Sequence, residues 1–269
     1  MATRVAGRPK SVVNPSRSII LTRSAPASNG YGLGGSETMA DSAECLTSRQ
    51  PSGHGPYSCV INGCAYARRA LVTLVEQQLG GEIVSLGSPW EQLRWPREAI
   101  MVPVRMLVYR LPEALGVALD GMMFLRHFLR CHTGRYGPRS QILLITDLPA
   151  FWLFATLRNL LGEEIDLNTI TVLPARSSPV HVATAFASGG AGMQLAMLAA
   201  RTPASQRCSL TAREAEVLHD LLYHGRSIAM QAKLKCTVTK TLYNQQRSAM
   251  KKLGVRTLCG VMRWRGDVR

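Results

Sequence analysis

Between residues 57 and 190, short apolar runs alternate with stretches in which apolar residues recur every three or four positions. The apolar runs predict β-strands at residues 58–61, 82–86, 106–111, 141–146 and 170–173. The helical spacing predicts α-helices at residues 65–79, 121–130, 149–161 and from residue 179 onward. Strands that alternate with helices in this way predict an α/β domain, in which helices cover both faces of a parallel sheet.

From residue 208 the pattern becomes entirely helical, and one predicted helix at residues 238–253 separates two kinds of side chain. One face is largely apolar and carries Leu242, Gln246, Ala249 and Leu253. The opposite face mixes cations with one aromatic and one amide side chain: Lys240, Tyr243, Asn244, Arg247 and Lys251. Thr237 precedes the helix with a hydroxyl that can accept a first-turn N–H, and Gly254 follows as a helix stop.

The remaining segments predict less regular structure. Residues 1–56 are rich in Ser, Gly, Pro and Arg without a helical or strand period, which predicts a disordered basic tail and no secretory signal. Residues 191–207 are interpreted as the end of the last α/β helix followed by a linker. The apolar stretch at 142–161 is interrupted by Asp147, Pro149 and Arg158, so we interpret it as a strand and a helix rather than a membrane span.

Charge indicates a polyanionic partner. The 269-residue chain has 32 basic and 17 acidic side chains, which gives a formal net charge of +15 and a pI near 10.1. The segment 208–269 holds 12 of the basic and four of the acidic side chains, so it carries about half of the excess. Such a distribution favours nucleic acid over an anionic membrane surface, because the cations concentrate on one predicted helix.

The cysteines and histidines do not suggest metal or catalytic chemistry. Seven cysteines stand at irregular spacings without a CxxC pair, and six histidines are scattered without a Ser/His/Asp order. We therefore expect a cytoplasmic protein with free thiols, no metal and no cofactor, and not an enzyme. The alternative is a small-ligand sensor whose pocket would be lined by aromatic residues: Trp90, Trp95, Phe151 and Trp152.

Four separate blocks of the C-terminal segment resemble the LuxR-type helix-turn-helix. They are Leu210-Thr211-Ala212-Arg213-Glu214-Ala215-Glu216-Val217-Leu218, Gly225, Lys240-Thr241-Leu242 and Lys252-Leu253-Gly254-Val255. The resemblance implies an all-α domain of four helices: a lead helix at 211–224, a scaffold helix near 227–235, a recognition helix at 238–253 and a dimer-forming helix at 257–264. It also implies that Tyr243, Asn244 and Arg247 contact base edges, while Lys240 and Lys251 hold phosphates.

Two residues of the scaffold helix depart from this pattern. Gln231 stands where an apolar residue is expected, and Leu234 comes one position early. We expect a one-residue shift in the register of the scaffold helix, because such a shift would reconcile both departures. In the last helix, the spacing of Leu258, Val261 and Met262 fits either burial inside the chain or contact with a second subunit.

Residues 57–190 resemble a receiver domain whose phosphorylation chemistry is lost. Asn62 and Gly63 stand at the acidic-pair positions, Tyr109 or Arg110 stands in place of the aspartate nucleophile, and only Thr146 matches a switch position. No lysine occurs between Lys10 and Lys233, so no ammonium group is available to neutralise a new phosphate. The resemblance therefore implies a degenerate receiver-like domain that is not switched by aspartyl phosphorylation.

Together these features predict a sequence-specific, phosphorylation-independent transcriptional regulator whose recognition helix, Val238–Leu253, enters the major groove of double-stranded DNA. The expected partners are a second subunit, in a homodimer or a heterodimer with a related regulator, and also RNA polymerase, with no membrane contact. Arg247 is the candidate for a bidentate contact to guanine and Asn244 for one to adenine. The alternative is a co-regulator that acts mainly as a dimerisation partner and reads little DNA itself.

Overall fold

The computed structural model describes residues 50–51, 55–96, 102–132, 140–163, 165–187, 194–203 and 207–264. All of them belong to one compact unit. The tail predicted at residues 1–56 lies outside the described residues except for positions 50, 51, 55 and 56, and so do Arg265 and Arg269.

Five parallel strands form one sheet in the order β2-β1-β3-β4-β5. The strands are β1 (Tyr57–Ile61), β2 (Ile83–Leu86), β3 (Val104–Arg110), β4 (Gln141–Ile145) and β5 (Ile170–Leu173). Val60 of β1 pairs with Val108 of β3, and both side chains are fully buried. The predicted parallel sheet is confirmed, and its apolar runs follow from burial on both faces.

Helices cover both faces of the sheet, as predicted. The helices α1 (Ala65–Leu79) and α4 (Pro179–Ala187) pack together on one face, while α2 (Leu115–His132) and α3 (Ala150–Leu161) cover the other. A short 3-10 helix, Pro89–Arg94, lies between β2 and β3. Helix α2 begins six residues before the predicted start at Gly121, because its first turns are buried on several sides and show no polar face.

The interpretation of residues 191–207 as a helix end and linker is wrong for Leu195–Ala200. These residues form a separate helix, α5, in which Leu195 is fully buried and Ala199 nearly so. Gln194, just before it, makes an antiparallel bridge to Thr171 at the outer edge of β5. The segment thus caps an edge strand and belongs to the core, although its Ala-rich composition resembles that of a linker.

Four helices complete the described chain: α6 (Ala212–Leu222), α7 (Ile228–Leu234), α8 (Thr239–Lys252) and α9 (Leu258–Arg263). Helix α6 packs against α2 and α3, and α9 packs against α2, while α7 and α8 pack against α6 and each other. Both parts of the chain share one hydrophobic core. The rings of Trp152 in α3 and Trp264 after α9 lie 4.9 Å apart between centroids. Asn159 of α3 donates to the backbone oxygen of Leu210 at 2.8 Å, just before α6.

Candidate nucleic-acid interface

Helix α8 turns one face towards the protein and the other towards solvent. Leu242 and Ala249 are buried, as is Leu253 at the C-terminal cap. All five side chains that the sequence predicts to contact DNA are exposed on the opposite face: Lys240, Tyr243, Asn244, Arg247 and Lys251. Tyr243 exposes 56% of its surface, so its ring is available to a partner rather than packed against α7.

The start of α8 differs from the prediction, and its end agrees with it. Val238 is the N-cap, and no side chain caps the first turn; the Thr237 hydroxyl instead donates to the backbone oxygen of Lys235 at 3.0 Å. The predicted Thr237 cap is therefore wrong, because that hydroxyl serves the preceding turn. At the other end, Gly254 has a φ of 69° and donates to the oxygen of Lys251. This is the left-handed geometry that ends a helix at glycine.

Glu214 of α6 holds α8 in place. It completes a capping box with Thr211, and its carboxylate also accepts hydrogen bonds from Ser248 at 2.6 Å and Lys252 at 2.8 Å. Burial raises the pKa of Glu214, but the hydrogen bonds from Lys252, Ser248 and Thr211 outweigh it and leave the pKa below its ordinary value. The Thr-x-x-Glu spacing signals the cap, but the links to α8 depend on tertiary packing.

The expected register shift in α7 does not occur. Gln231 is fully buried at the inward position, and Leu234 exposes 59% of its surface. The Gln231 amide nitrogen donates to the backbone oxygens of Val217 in α6, at 3.2 Å, and of Arg226, at 3.1 Å. These two hydrogen bonds offset part of the cost of burying a polar side chain at this position.

Ion pairing leaves the outward cations of α8 unneutralised. In the described part of the chain after residue 206, each acidic side chain already faces a cation: Glu214 pairs with Lys252, Glu216 with Arg126, and Asp220 with Arg226 and Lys235. Lys240, Arg247 and Lys251 form no ion pair with any described residue. Their positive charge is therefore presented to solvent, where a polyanion can meet it.

An open cleft of about 600 Å³ extends this face towards the start of α6. It is lined by residues from both helices: Thr211, Ala212, Arg213, Glu214, Thr241, Asn244, Gln245 and Ser248. Arg213 and Thr241 are exposed there and stand next to Asn244 in the lining. Sequence reasoning missed this polar extension because the two helices meet only in the folded chain.

Of the three side chains predicted as dimer contacts, one is buried inside the chain and two are exposed. Val261 is fully buried inside the chain and belongs to the shared core, so it does not contact a second subunit in this conformation. Leu258 and Met262 expose 37% and 60% of their surfaces. Of the two alternatives left open by the sequence, Val261 follows the inward one, while Leu258 and Met262 remain accessible.

The residues that the sequence predicts at the acidic-pair, nucleophile and switch positions lie at the carboxyl edge of the sheet. Asn62 is buried and accepts the backbone N–H of Cys64 at 3.0 Å, and Gly63 is exposed. Tyr109 is buried, and this burial raises the pKa of its hydroxyl. Arg110 is half-buried at the end of β3, and buried Thr146 accepts the backbone N–H of Leu148.

One cluster of side chains among the described residues has metal-like geometry. The ligand atoms of His219, Asp220 and His224 lie within 4.8 Å of one another. However, Asp220 accepts from Arg226 at 2.9 Å and from Lys235 at 2.7 Å. His219 lies 2.9 Å from the Asp120 carboxylate. The Asp220 carboxylate is therefore already neutralised by two cationic side chains.

Among the described helices, none combines the length and apolar character that a membrane crossing requires.

Two solved structures of RcsB from Salmonella enterica serovar Typhimurium, both in the presence of the phosphomimetic BeF3-, have a similar fold. The structure bound to promoter rprA matches with a TM-score of 0.52 at 20% identity, covering 80% of this chain and 100% of that chain. The structure bound to promoter P1flhDC matches with a TM-score of 0.50 at 17% identity, with the same coverages. At such identities the likeness shows a shared fold. No protein-family profile and no curated protein matches the chain.

Proposed function

We propose that this chain is a sequence-specific DNA-binding transcriptional regulator of the LuxR type, and that α8 reads the major groove. One observation carries the proposal. The outer face of α8 presents cations, an aromatic ring and an amide at helical spacing, while the acids of the same segment are engaged elsewhere. Cations suit phosphates, and amide and guanidinium groups suit base edges.

Each residue of this face has a distinct expected role. Arg247 donates two hydrogen bonds to a guanine edge, and Asn244 pairs with adenine in the same way. Tyr243 packs on a thymine methyl or donates to a phosphate, and Lys240 and Lys251 hold phosphates. RcsB, which shares the fold, is bound to promoter DNA in both similar structures, and this supports the same use of the fold here.

The receiver-like part serves in this proposal as a platform that phosphate does not switch. The sheet edge offers Asn62, Gly63 and Arg110 in place of the acids that would hold a magnesium ion. The protein would act in the cytoplasm as a homodimer, or as a heterodimer with a related regulator, on half-sites one helical turn apart. RNA polymerase would then be a further partner at the promoter.

A second candidate function is a co-regulator that mainly supplies a dimerisation surface. The exposure of Leu258 and Met262 on α9 favours it, since both side chains are apolar and accessible. In that case the other subunit would read the sequence, and α8 would contribute general attraction to phosphates.

Selection of bound DNA from a random pool, followed by binding measurements at rising salt, tests the proposal. A sequence reader keeps its preference for the selected site as salt weakens overall affinity, whereas a merely basic protein loses all binding together. Failure to enrich any sequence, with binding that disappears uniformly as salt rises, would favour the co-regulator.

The variant Arg247→Ala tests the reading face directly. Loss of a bidentate contact should reduce the preference for the selected site by about 1–3 kcal/mol, with unchanged thermal stability because the side chain is exposed. Competition binding between selected and scrambled DNA measures this preference. The control is Arg69→Ala, which removes an exposed arginine on α1. An unaltered footprint and preference in Arg247→Ala would contradict the assignment.

A further inference from the structure

A cavity of about 170 Å³ lies at the carboxyl edge of the sheet, between the ends of β1 and β3. The strand order places the topological switch point of the sheet between these two strands, and ligands of open α/β sheets bind at such points. Ile61 and Gly63 come from the end of β1, Tyr109 and Arg110 from the end of β3, and Tyr223 from the end of α6. The cavity therefore joins the receiver-like edge to the helical part of the chain.

The polar groups around the cavity favour an anion. Arg110 lines it, and the guanidinium of Arg110 forms no ion pair with any described residue. Asn62, between the lining residues Ile61 and Gly63, is 97% buried, since its relative exposure is 3%. Its amide nitrogen has no hydrogen-bond partner among the described residues. Asn62 is not itself in the lining, so Arg110 is the residue that would bind an anion in the cavity.

The surroundings of the nearby Cys64 thiol also favour negative charge. The pKa of Cys64, at the start of α1, is lowered by the backbone N–H groups of Ala67 and Tyr66 and also by the charges of Arg110 and Arg68. All of these groups stabilise negative charge at this edge. The one acid in the lining, Asp120, is already held by the Trp90 indole at 2.5 Å and by His219 at 2.9 Å.

The rest of the lining is apolar. Ile61, Pro89, Pro112 and Val117 contribute aliphatic surface, and Tyr109 and Tyr223 contribute aromatic rings. Since one water occupies about 30 Å³ of liquid, the cavity has room for about six waters, or for a compact organic body whose bonded atoms lie closer together. Inorganic phosphate would leave this apolar surface uncovered.

We propose that this cavity binds a small organic anion, a carboxylate on a compact apolar body, with the carboxylate held by Arg110. A bound ligand would contact the helical part of the chain directly, because Tyr223 at the end of α6 lines the cavity. It would also lie beside Asp120, a lining residue that is hydrogen-bonded to His219 of α6. The site is independent of DNA reading by α8, so either proposal can fail without the other.

The test titrates the full-length protein with benzoate, with neutral benzamide of the same size, and with inorganic phosphate. Binding is followed by the indole N–H resonance of Trp90, which donates to Asp120 beside the cavity. Benzoate should shift this resonance saturably, with a Kd on the order of 1 mM for a ligand of this size. Benzamide and phosphate should each bind at least about tenfold more weakly, since one lacks the charge and the other the apolar body.

Two substitutions at one position and a matched control complete the test. Arg110→Gln should weaken benzoate at least about tenfold while leaving benzamide unchanged, and Arg110→Lys should restore part of the affinity. Arg105→Gln, on the same strand, should bind benzoate as the unaltered protein does. Equal affinity for benzoate and benzamide, tighter binding of phosphate, or unaltered benzoate binding by Arg110→Gln would each overturn the proposal.

Discussion

Gln231 joins α7 to α6 and to the loop between them through one amide nitrogen. That nitrogen donates to the backbone oxygens of Val217 and Arg226, and the side chain is fully buried. Its amide oxygen is buried without a hydrogen-bond partner among the described residues. The contribution of Gln231 to the free energy of unfolding therefore depends on the two donated hydrogen bonds, because burial of the unpaired oxygen is destabilising.

Gln231→Glu should separate these contributions. At pH 7 the new carboxylate would be buried beside two backbone oxygens without a cation, so the free energy of unfolding should fall by about 3–5 kcal/mol. Burial raises the pKa of such a group in the folded state above its unfolded value, so the carboxyl is neutral at low pH and part of the loss should disappear near pH 4. Urea unfolding at both pH values measures the change.

The control for this substitution is Gln77→Glu, which places a new carboxylate at an exposed position of α1. It should change the unfolding free energy by less than about 0.5 kcal/mol at either pH. Wild-type stability in Gln231→Glu at pH 7 would mean that the side chain can turn to solvent, and the register of α7 would then need revision.

At the scale of single elements, the end of α8 sets the path of the chain into α9. Gly254 and Val255 donate to the oxygens of Lys251 and Met250, and Gly254 adopts a φ of 69°. Two hydrogen bonds of this type close the last turn of a helix only when the residue after the cap is left-handed. The position therefore favours glycine because of its left-handed backbone conformation. Steric crowding is not the reason, since no heavy atom lies within 4 Å of an added Cβ.

Gly254→Ala should lower the free energy of unfolding by about 1–2 kcal/mol, the cost of a left-handed backbone for a residue with a Cβ. Thermal unfolding followed by circular dichroism gives the value. Gly63→Ala is the matched control, because its backbone is not left-handed and its nearest neighbour to an added Cβ is 3.9 Å away. Equal melting temperatures for the two variants would contradict the capping role.

Elements with one polar face were predictable from the sequence, and elements buried on several sides were not. Helix α1 matches the predicted bounds because its buried Leu71 and Val75 recur at helical spacing, with a mostly polar face opposite. Helix α2 is buried on several sides, and Gly116 lies against Leu222 of α6, so its first turns show no helical period. Helix α5 was assigned to a linker because Ala-rich composition does not reveal whether a segment packs.

The candidate nucleic-acid interface was also only partly predictable from the sequence. The outward face of α8 follows from residue spacing, which fixes which side chains share a face. The Thr237 hydroxyl is engaged by the backbone of Lys235, only two residues away, through a turn that helical spacing does not reveal. The burial of Val261 and the links from Glu214 to Ser248 and Lys252 depend on neighbours distant in sequence. Helical spacing carries no information on such contacts.

At the scale of the whole molecule, the receiver-like and helical parts share one core. Trp264 is almost fully buried, and its ring lies 4.9 Å from that of Trp152 in α3. We expect the described regions to unfold in a single cooperative transition. Trp264→Ala should lower the free energy of unfolding by about 3–5 kcal/mol or split the transition into two. Calorimetry distinguishes these outcomes from an unchanged melting profile, which would show that the contact between Trp152 and Trp264 does not hold the two parts together.

The unit as a whole should not accept a phosphoryl group on aspartate. Acyl phosphate formation needs a free carboxylate nucleophile, acids that hold a divalent cation, and a cation that neutralises the product. At the sheet edge Asn62 is neutral, Arg110 would repel magnesium, and the nearby carboxylate of Asp120 is bonded to Trp90 and His219.

Incubation with labelled acetyl phosphate and magnesium should therefore leave no acid-labile label on the protein, whereas an intact receiver treated in parallel should be labelled. Asp120 is the informative position, because it is the acid that lines the edge cavity. Asp120→Asn should remain unlabelled like the unaltered chain. A label that appears on the unaltered chain and disappears in Asp120→Asn would show that the His219 and Trp90 contacts can open, and that phosphate can act on this molecule after all.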